Sequence, residues 1–198
     1  MKKTNTKVRR IAFTALLGAV ATVLMAISFS VPFMPSFIKF DLSELPALLA
    51  AFAFGPVSGV AVCLIKNLIN LMFTNTAGIG ELCNFLLGCC LVLPSGIIYK
   101  FRHNRLSAFV SSSAGALVMA LASIPINYFI TYPFYFRTVA PESVILGAYR
   151  AIFPETESIL QALVMFNAPY TFVKGMISVF ICFIIYKKLS PILKGDSK

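Results

Sequence analysis

Long apolar stretches, each close to the length of a helix that crosses a lipid bilayer, fill most of this 198-residue chain. A spanning helix needs about 20 consecutive apolar residues, so the chain has room for at most about six or seven spans with short loops. Hydrophobic residues make up 59% of the chain and charged residues only 12%, whereas a soluble domain is about one quarter charged. The sequence therefore predicts an integral membrane protein and excludes a separate soluble catalytic or nucleotide-binding domain.

Charged residues, prolines and glycines divide the apolar stretches into six predicted transmembrane helices, which form one all-α membrane domain over residues 1–198. Their approximate bounds are 8–29, 44–55, 57–73, 81–99, 108–130 and 167–189. We expect an ordered loop from Val31 to Asp41, because its prolines and charges interrupt a helix. Pro169 removes a helical donor, so residues 158–166 form either a separate helix or a kinked extension of the last span.

The positive charges lie mainly on one side of this predicted bundle. The formal net charge is +10; five Lys and Arg residues lie at the N-terminus, three between the fourth and fifth spans, and four at the C-terminus. Cytoplasmic loops are enriched in these residues, so we predict that both termini lie in the cytoplasm. The charges flank apolar segments instead of forming a basic stripe, which favours membrane lipid over nucleic acid as the partner.

One basic residue, Lys174, lies inside the last predicted span. A lysine at the centre of a membrane helix costs about 2.5 to 3.5 kcal/mol on insertion scales unless it is paired or faces a cavity. Asn167, Thr171 and Lys174 are spaced so that an amide, a hydroxyl and an ammonium share one helical face. We interpret this face as a ligand site, in which a bound molecule interacts with the otherwise uncompensated charge of Lys174. The alternative is a polar seam that holds two helices together.

Two further polar faces lie at the ends of the fourth and fifth spans. Glu81 and Asn84 are one turn apart at the start of the fourth span, where Glu81 is also a favourable anion for a helix N-terminus. Asn127 and Tyr128 lie near the end of the fifth span, where aromatic rings also form interfacial belts. Together with the Lys174 face, these groups predict an outward-open pocket for a planar heterocycle with a polar tail.

The third span carries Lys66 and Asn70 one turn apart, and this pair is interpreted equally well as a structural pairing or as a ligand contact. The sequence contains no G-x-x-x-x-G-K-[ST], H-E-x-x-H or G-x-S-x-G motif, so we predict neither an enzyme nor a cofactor. A lone His103 and five cysteines without a CxxC pair predict no metal site. If the chain is an importer, another protein must supply the energy.

The first predicted span carries a stripe of small residues that includes Ala15 and Ala19. Small residues four positions apart let another helix approach closely. Spacing alone leaves two interpretations open, packing within the bundle and docking of a partner protein.

Several short segments occur in an order that is more specific than any one of them. They are Pro35–Pro46, Phe54–Gly59, Ile65–Ile69 and Gly80–Gly88, followed by Asn127-Tyr128 and Lys174-Gly175. In this order the chain resembles the S components, or substrate-binding subunits, of energy-coupling factor vitamin importers, most of all the riboflavin-specific ones. The resemblance covers nearly the whole chain.

This resemblance implies a six-helix protein of the bacterial plasma membrane that binds riboflavin from outside. It implies docking through Ala15 and Ala19 on a transmembrane coupling protein that carries two ATPase subunits. For the site, the resemblance implies that Asn127 and Lys174 form hydrogen bonds with the pyrimidine side of the flavin ring. Asn84 and the loop at Asp41 and Leu42 would then lie against the ligand.

One departure concerns the last helix. Similar riboflavin binders often carry Asn-x-x-Lys there, whereas this chain has Thr171-Phe-Val-Lys174, with Asn167 one turn earlier. The alternatives to a riboflavin subunit are an S component for biotin, pantothenate, folate or thiamine, a membrane enzyme acting on lipid or prenyl substrates, and a structural subunit. A membrane enzyme would need an acidic cluster for Mg²⁺, which Asp41, Glu44 and Glu81 do not convincingly form.

Overall fold

The computed structural model describes residues 6–32, 34–35, 38–74, 76–101, 104–138 and 140–194, and side chains at 105 and 187–194 are outside the description. His103 lies outside it as well. The helices are α1 (Thr6–Ala26), α2 (Glu44–Phe54), α3 (Pro56–Asn70), α4 (Ile79–Phe101), α5 (Arg105–Ile126), α6 (Tyr132–Thr138), α7 (Glu142–Arg150), α8 (Ile159–Ala162) and α9 (Ala168–Lys194). A 3-10 turn, Leu71–Phe73, extends α3.

Two short strands mark one end of the bundle. The strands β1 (Phe29–Ser30) and β2 (Lys39–Phe40) pair antiparallel, with Phe29 opposite Phe40. They lie within or beside the predicted loop between Val31 and Asp41. We call this end of the bundle the hairpin end, and the end that carries the start of α1 and the finish of α4 the basic end.

Among the described residues, five helical segments are long and apolar enough to cross a membrane, which agrees with the predicted all-α membrane fold. They are Thr6–Ala26, Pro56–Phe73, Ile79–Phe101, Leu106–Thr138 and Ile159–Tyr186. The predicted span at 44–55 corresponds to α2, whose 11 residues extend only about 16 Å, roughly half of a bilayer core. A continuous run of its residues, Pro46 to Phe52, is buried, and α2 packs against α1, α3, α4 and α9.

The position of α2 determines where polar side chains enter the bundle. Gly55 follows α2 and Pro56 begins α3, so the chain reverses direction at the basic end. Gly55 has a φ of 95°, which glycine adopts readily, and proline suits the first turn of a helix. Because α2 is short, its first residue, Glu44, lies about halfway along the bundle. The irregular segment before it therefore carries Asp41 and Ser43 into the interior, where both are buried.

Two π-helical turns interrupt the long helices near the hairpin end, at Asn127–Thr131 and Leu163–Asn167. In each, a backbone N–H donates five residues back, from Tyr132 to Asn127 and from Ala168 to Leu163. Each donor directly precedes a proline, which cannot donate such a bond. The second turn joins α8 to α9, so residues 159–194 form one helix with a π-helical interruption. Of the two predicted alternatives for residues 158–166, this is the extension of the last span.

The polar connection between the fifth and sixth spans is partly helical, because it contains α7, whereas α6 continues the fifth spanning segment. Residues Ile145 and Tyr149 lie one turn apart on α7 and are buried against Tyr132 and Leu163. This small apolar cluster lies beside the hairpin end of the bundle. It holds α7 over the π-helical turns instead of leaving an extended loop there.

Candidate functional site

A cavity of about 160 Å³ lies inside the hairpin end of the bundle, and every long helix except α1 and α3 contributes to its wall. The lining residues are Ile38, Lys39, Glu44, Asn84, Leu87, Met119, Asn127, Thr131, Tyr132, Tyr135, Asn167, Tyr170, Thr171 and Lys174. Both π-helical turns contribute an asparagine and expose it to the same space. We call this space the central cavity.

The structure corrects the interpretation of Lys174 as an uncompensated charge. Its ammonium nitrogen lies 2.8 Å from Asp41 Oδ2 and 3.6 Å from Glu44 Oε2. The lysine side chain is only 12% exposed and that of Asp41 only 5%, so this is a buried ion pair. The partners were missed because they stand 133 and 130 positions away in the chain, in a segment that looks like an ordinary helix start.

Lys66 belongs to the same network and takes a structural role. Its ammonium donates to Glu44 Oε1 at 2.9 Å and to Ser43 Oγ at 2.6 Å, and the residue is fully buried. Ser43 makes no side-chain cap to α2; its hydroxyl and backbone N–H donate to Asp41 Oδ1 instead. Two ammonium and two carboxylate groups therefore balance in a network with no net formal charge.

The pKa of Asp41 reflects this network. Burial raises the pKa of the Asp41 carboxyl, but the ammonium groups of Lys174 and Lys66 outweigh burial and hold the pKa well below its usual range. The carboxylate therefore stays ionised at every physiological pH.

Asn84 presents an unsatisfied acceptor beside the central cavity. Its side-chain oxygen Oδ1 is buried and has no hydrogen-bond partner in the described part of the chain, and the same holds for the hydroxyl of Tyr170. Both residues line the cavity. Buried polar groups are usually bonded to protein or ordered water, so these two atoms indicate places for a bound molecule or water.

Asn167 is held by two tyrosines. The Tyr149 hydroxyl donates to Asn167 Oδ1 at 2.7 Å, Asn167 Nδ2 lies 3.4 Å from the Tyr132 hydroxyl, and the two tyrosine hydroxyls share a short hydrogen bond. All three residues are buried. The rings therefore fix which way the amide of Asn167 faces at the cavity wall.

A second cavity of about 450 Å³ adjoins the first and shares Lys39, Asn84 and Tyr135 with it. Its wall also includes Asp41 and Glu81. Glu81 Oε2 accepts hydrogen bonds from the hydroxyls of Thr74 and Thr76 at 2.8 Å and 3.2 Å. We call this space the side cavity.

The predicted site residues thus fall into three groups. The central cavity brings together Asn84, Asn127, Asn167, Thr171 and Lys174, and the side cavity adds Asp41 and Glu81. Leu42 is partly buried beside Asp41, but it is not among the residues that line either cavity. Tyr128 is 42% exposed, and its ring packs edge-on to Phe129 on the outside of the bundle.

Sequence reasoning missed several lining residues. Glu44 was considered as one of three acids for a Mg²⁺ site, and Tyr132 and Tyr135 were not assigned to the site although both line the cavity. Tyr170 could have been found, because it follows Asn167 by three positions and precedes Lys174 by four, on the predicted polar face.

Comparison with known proteins gives consistent matches over most of the chain. A family described as "ECF transporter, substrate-specific component" matches residues 9–186. The riboflavin transporter RibU of Staphylococcus aureus is 30% identical over 94% of this chain and 93% of its own length. The riboflavin transporter FmnP of Bacillus subtilis is 27% identical over 93% of this chain and 94% of its own.

A solved structure has the same fold. It is described as "Structure and mechanism of the S component of a bacterial ECF transporter", and it superposes with a TM-score of 0.74 at 30% identity. The match covers 95% of this chain and 99% of the solved one.

Proposed function

The chain belongs to the substrate-specific components of ECF transporters, and from this premise we propose that it is the riboflavin-binding subunit of such an importer. The family consists of transporter subunits, so this chain is not an enzyme, and riboflavin is its cargo instead of a resident cofactor. The observation that carries the proposal is the central cavity, where three asparagine amides and two unsatisfied polar atoms meet aromatic walls. Relatives named riboflavin transporters match over nine tenths of the chain.

The chemistry of the lining residues suits a flavin ring. The pyrimidine edge of riboflavin presents carbonyl acceptors and an imide N–H, and carboxamides offer donors and acceptors to such an edge. Asn127 and Asn167 are the proposed contacts from the π-helical turns. Asn84 is the proposed acceptor for a donor on the ligand, because its Oδ1 is otherwise unsatisfied.

The balanced charges of the network favour an uncharged ligand. The ammonium of Lys174 is already neutralised by Asp41 and Glu44, so a cationic thiamine or a dianionic folate would bring an unpaired charge into a low-dielectric site. Riboflavin carries no charge on its ring or ribityl tail at neutral pH. In this arrangement Lys174 still donates to a flavin carbonyl while it holds Asp41.

The size of the site requires both cavities. Drug-sized ligands occupy pockets of about 300 to 1,000 Å³, whereas the central cavity alone measures about 160 Å³. The side cavity shares Lys39, Asn84 and Tyr135 with it, and we propose that rotation of Lys39 and Tyr135 joins the two spaces. We propose that the ring occupies the central cavity and the ribityl tail extends toward Glu81, whose carboxylate accepts hydroxyl donors.

The exposed face of α1 is the proposed contact with the coupling protein. Ala15 and Ala19 are both exposed, whereas Gly18 is buried against Ile65 of α3. The stripe of small residues thus has one side in the bundle and one side available to another helix. We propose that this face docks on a transmembrane coupling protein with two ATPases, and that both termini lie in the cytoplasm of a bacterial cell.

The deciding experiment is to purify the full chain in detergent from rich medium and record its absorbance. We expect yellow protein whose flavin spectrum survives dialysis, and calorimetric binding of riboflavin after the flavin has been stripped. Thiamine and biotin serve as controls and should give no heat. Colourless protein without riboflavin binding, or tighter binding of either control vitamin, overturns the assignment.

A further inference from the structure

A third cavity lies at the basic end of the bundle, far from the proposed flavin site. It measures about 430 Å³ and lies between the start of α1, the turn from α2 to α3, and the end of α4. Its wall includes Arg10, Gly55, Val57, Tyr99 and Lys100. We call it the elbow pocket.

The elbow pocket concentrates positive charge. Both Arg10 and Lys100 line it, and no Asp or Glu of the described chain does. The turn there is also the N-terminus of the 15-residue helix α3, where the helix dipole favours an anion. Two cations and a helix N-terminus around one space attract a compact anion.

Arg10 is held in place for this role. Its Nε donates to Ser58 Oγ at 2.9 Å, a contact that links α1 to the first turn of α3. This bond uses one of the three guanidinium nitrogens and leaves two for a phosphate oxygen, which arginine binds well in a bidentate manner. At Gly55 an added Cβ would meet no atom within 4 Å, so the pocket is open to an incoming group.

Exposed apolar residues lie on and next to the wall of the elbow pocket, and we call them its rim. Val57 lines the pocket and is 68% exposed. Ile97 and Phe101 follow the lining residues Gly96 and Lys100 in the chain and are 48% and 82% exposed. Such side chains favour hydrocarbon chains and offer nothing to a free phosphate ion. Basic pockets beside membrane helices on the cytoplasmic side are typical of phospholipid headgroup sites.

We infer that the elbow pocket binds the phosphate of an anionic phospholipid of the inner leaflet, with the acyl chains along the apolar rim. Arg10 and Lys100 hold the headgroup, and the lipid joins α1 to the turn between α2 and α3. This site is separate from the flavin site and does not depend on which vitamin is bound.

Native mass spectrometry of the full-length protein in neutral detergent tests the inference. We expect the wild type to retain one molecule of dioleoylphosphatidylglycerol and not dioleoylphosphatidylcholine at equal concentration. Arg10→Gln and Lys100→Gln should each weaken this retention about fivefold, the usual effect of one basic residue near an anionic headgroup. The matched control is Arg137→Gln, which removes an exposed charge at the hairpin end and should leave lipid binding unchanged.

Thermal unfolding without ligand establishes that each variant is folded. Equal retention of the two lipids, or wild-type lipid binding by the folded double variant R10Q/K100Q, overturns the inference. Glycerol 3-phosphate is the probe for a soluble anion. If it displaces the lipid at comparable concentration, the site recognises a free phosphate instead of a membrane lipid.

Discussion

Lys174 and Asp41 form a buried ion pair, 2.8 Å between Nζ and Oδ2, that joins the middle of α9 to the segment between β2 and α2. The pair lies beside the central cavity, so the same ammonium both stabilises the fold and faces the ligand. Glu44 and Lys66 extend the pair to α3. Movement of the segment that follows β2 therefore changes the electrostatics of the cavity.

The first prediction concerns the energetic coupling of this pair. Asp41→Asn and Lys174→Gln each leave a buried charge short of its partner, which typically costs about 3 to 5 kcal/mol. The double variant D41N/K174Q should lose less stability than the sum of the single losses, because it leaves fewer unbalanced charges. Thermal unfolding in detergent gives the stability of the wild type, the two single variants and the double variant.

A control cycle combines K174Q with Glu142→Gln on the exposed start of α7. The stability losses of K174Q and Glu142→Gln should add, since Glu142 is not in the network. Additivity in the D41N/K174Q cycle as well would contradict the pairing.

The second prediction concerns Asp41→Asn and how its loss of thermal stability depends on pH. The network lowers the pKa of Asp41, so its stabilising effect is complete above the unfolded pKa of about 3.9 and is lost as pH falls toward the folded value. The difference in Tm between the wild type and D41N should therefore stay constant from about pH 8 to pH 5. It should shrink only at lower pH, and a difference that already falls between pH 7 and pH 5 contradicts the lowered pKa.

The third prediction separates ligand binding from stability at Asn84. Because Asn84 Oδ1 has no hydrogen-bond partner among the described residues, Asn84→Ala should weaken riboflavin binding by about fivefold to tenfold, the value of one lost hydrogen bond. Its Tm without ligand should stay within a few degrees of the wild type. Ser178→Ala is the matched control, since it removes a buried hydroxyl that has no partner within the described ranges and lines neither cavity; it should leave calorimetric affinity unchanged.

Much of the architecture could be predicted from the sequence, because apolar length and Lys and Arg placement report directly on membrane spans. The all-α membrane fold and the transporter family are confirmed. The helix α7 was missed because Ile145 and Tyr149 occur in a segment too polar and too short to resemble a span. The π-helical turns were missed because proline marks an interruption without indicating its form.

The site was harder to predict than the fold, since its partners are distant in sequence. The polar face of α9 follows from helical spacing, and the cavity contains all three residues of that face. The pairing of Lys174 with Asp41 spans 133 positions, and no local pattern indicates it. It depends on the short α2, which lets an irregular segment reach the interior.

The fourth prediction tests the positioning of Asn167. Tyr149→Phe removes the hydroxyl that donates to Asn167 Oδ1, so the amide loses its fixed orientation and riboflavin binding should weaken about threefold to tenfold. Tyr149 itself is not among the residues that line the cavity, so the effect acts through Asn167. Tyr186→Phe is the control, because its hydroxyl bonds with Tyr99 elsewhere in the bundle; equal losses in both variants would indicate general destabilisation.

The fifth prediction concerns the exposed small residues of α1. Ala15→Trp places a large ring on the face proposed to dock on the coupling protein, where close helix approach depends on small side chains. Cells that express this variant with the transport machinery should lose riboflavin uptake, while the purified protein keeps wild-type affinity. Val20→Trp is the matched control, since Val20 is 43% exposed on another face of α1 and should support normal uptake. Normal uptake by A15W, at equal expression, would remove Ala15 from the docking surface, and loss of riboflavin binding in A15W would indicate misfolding instead.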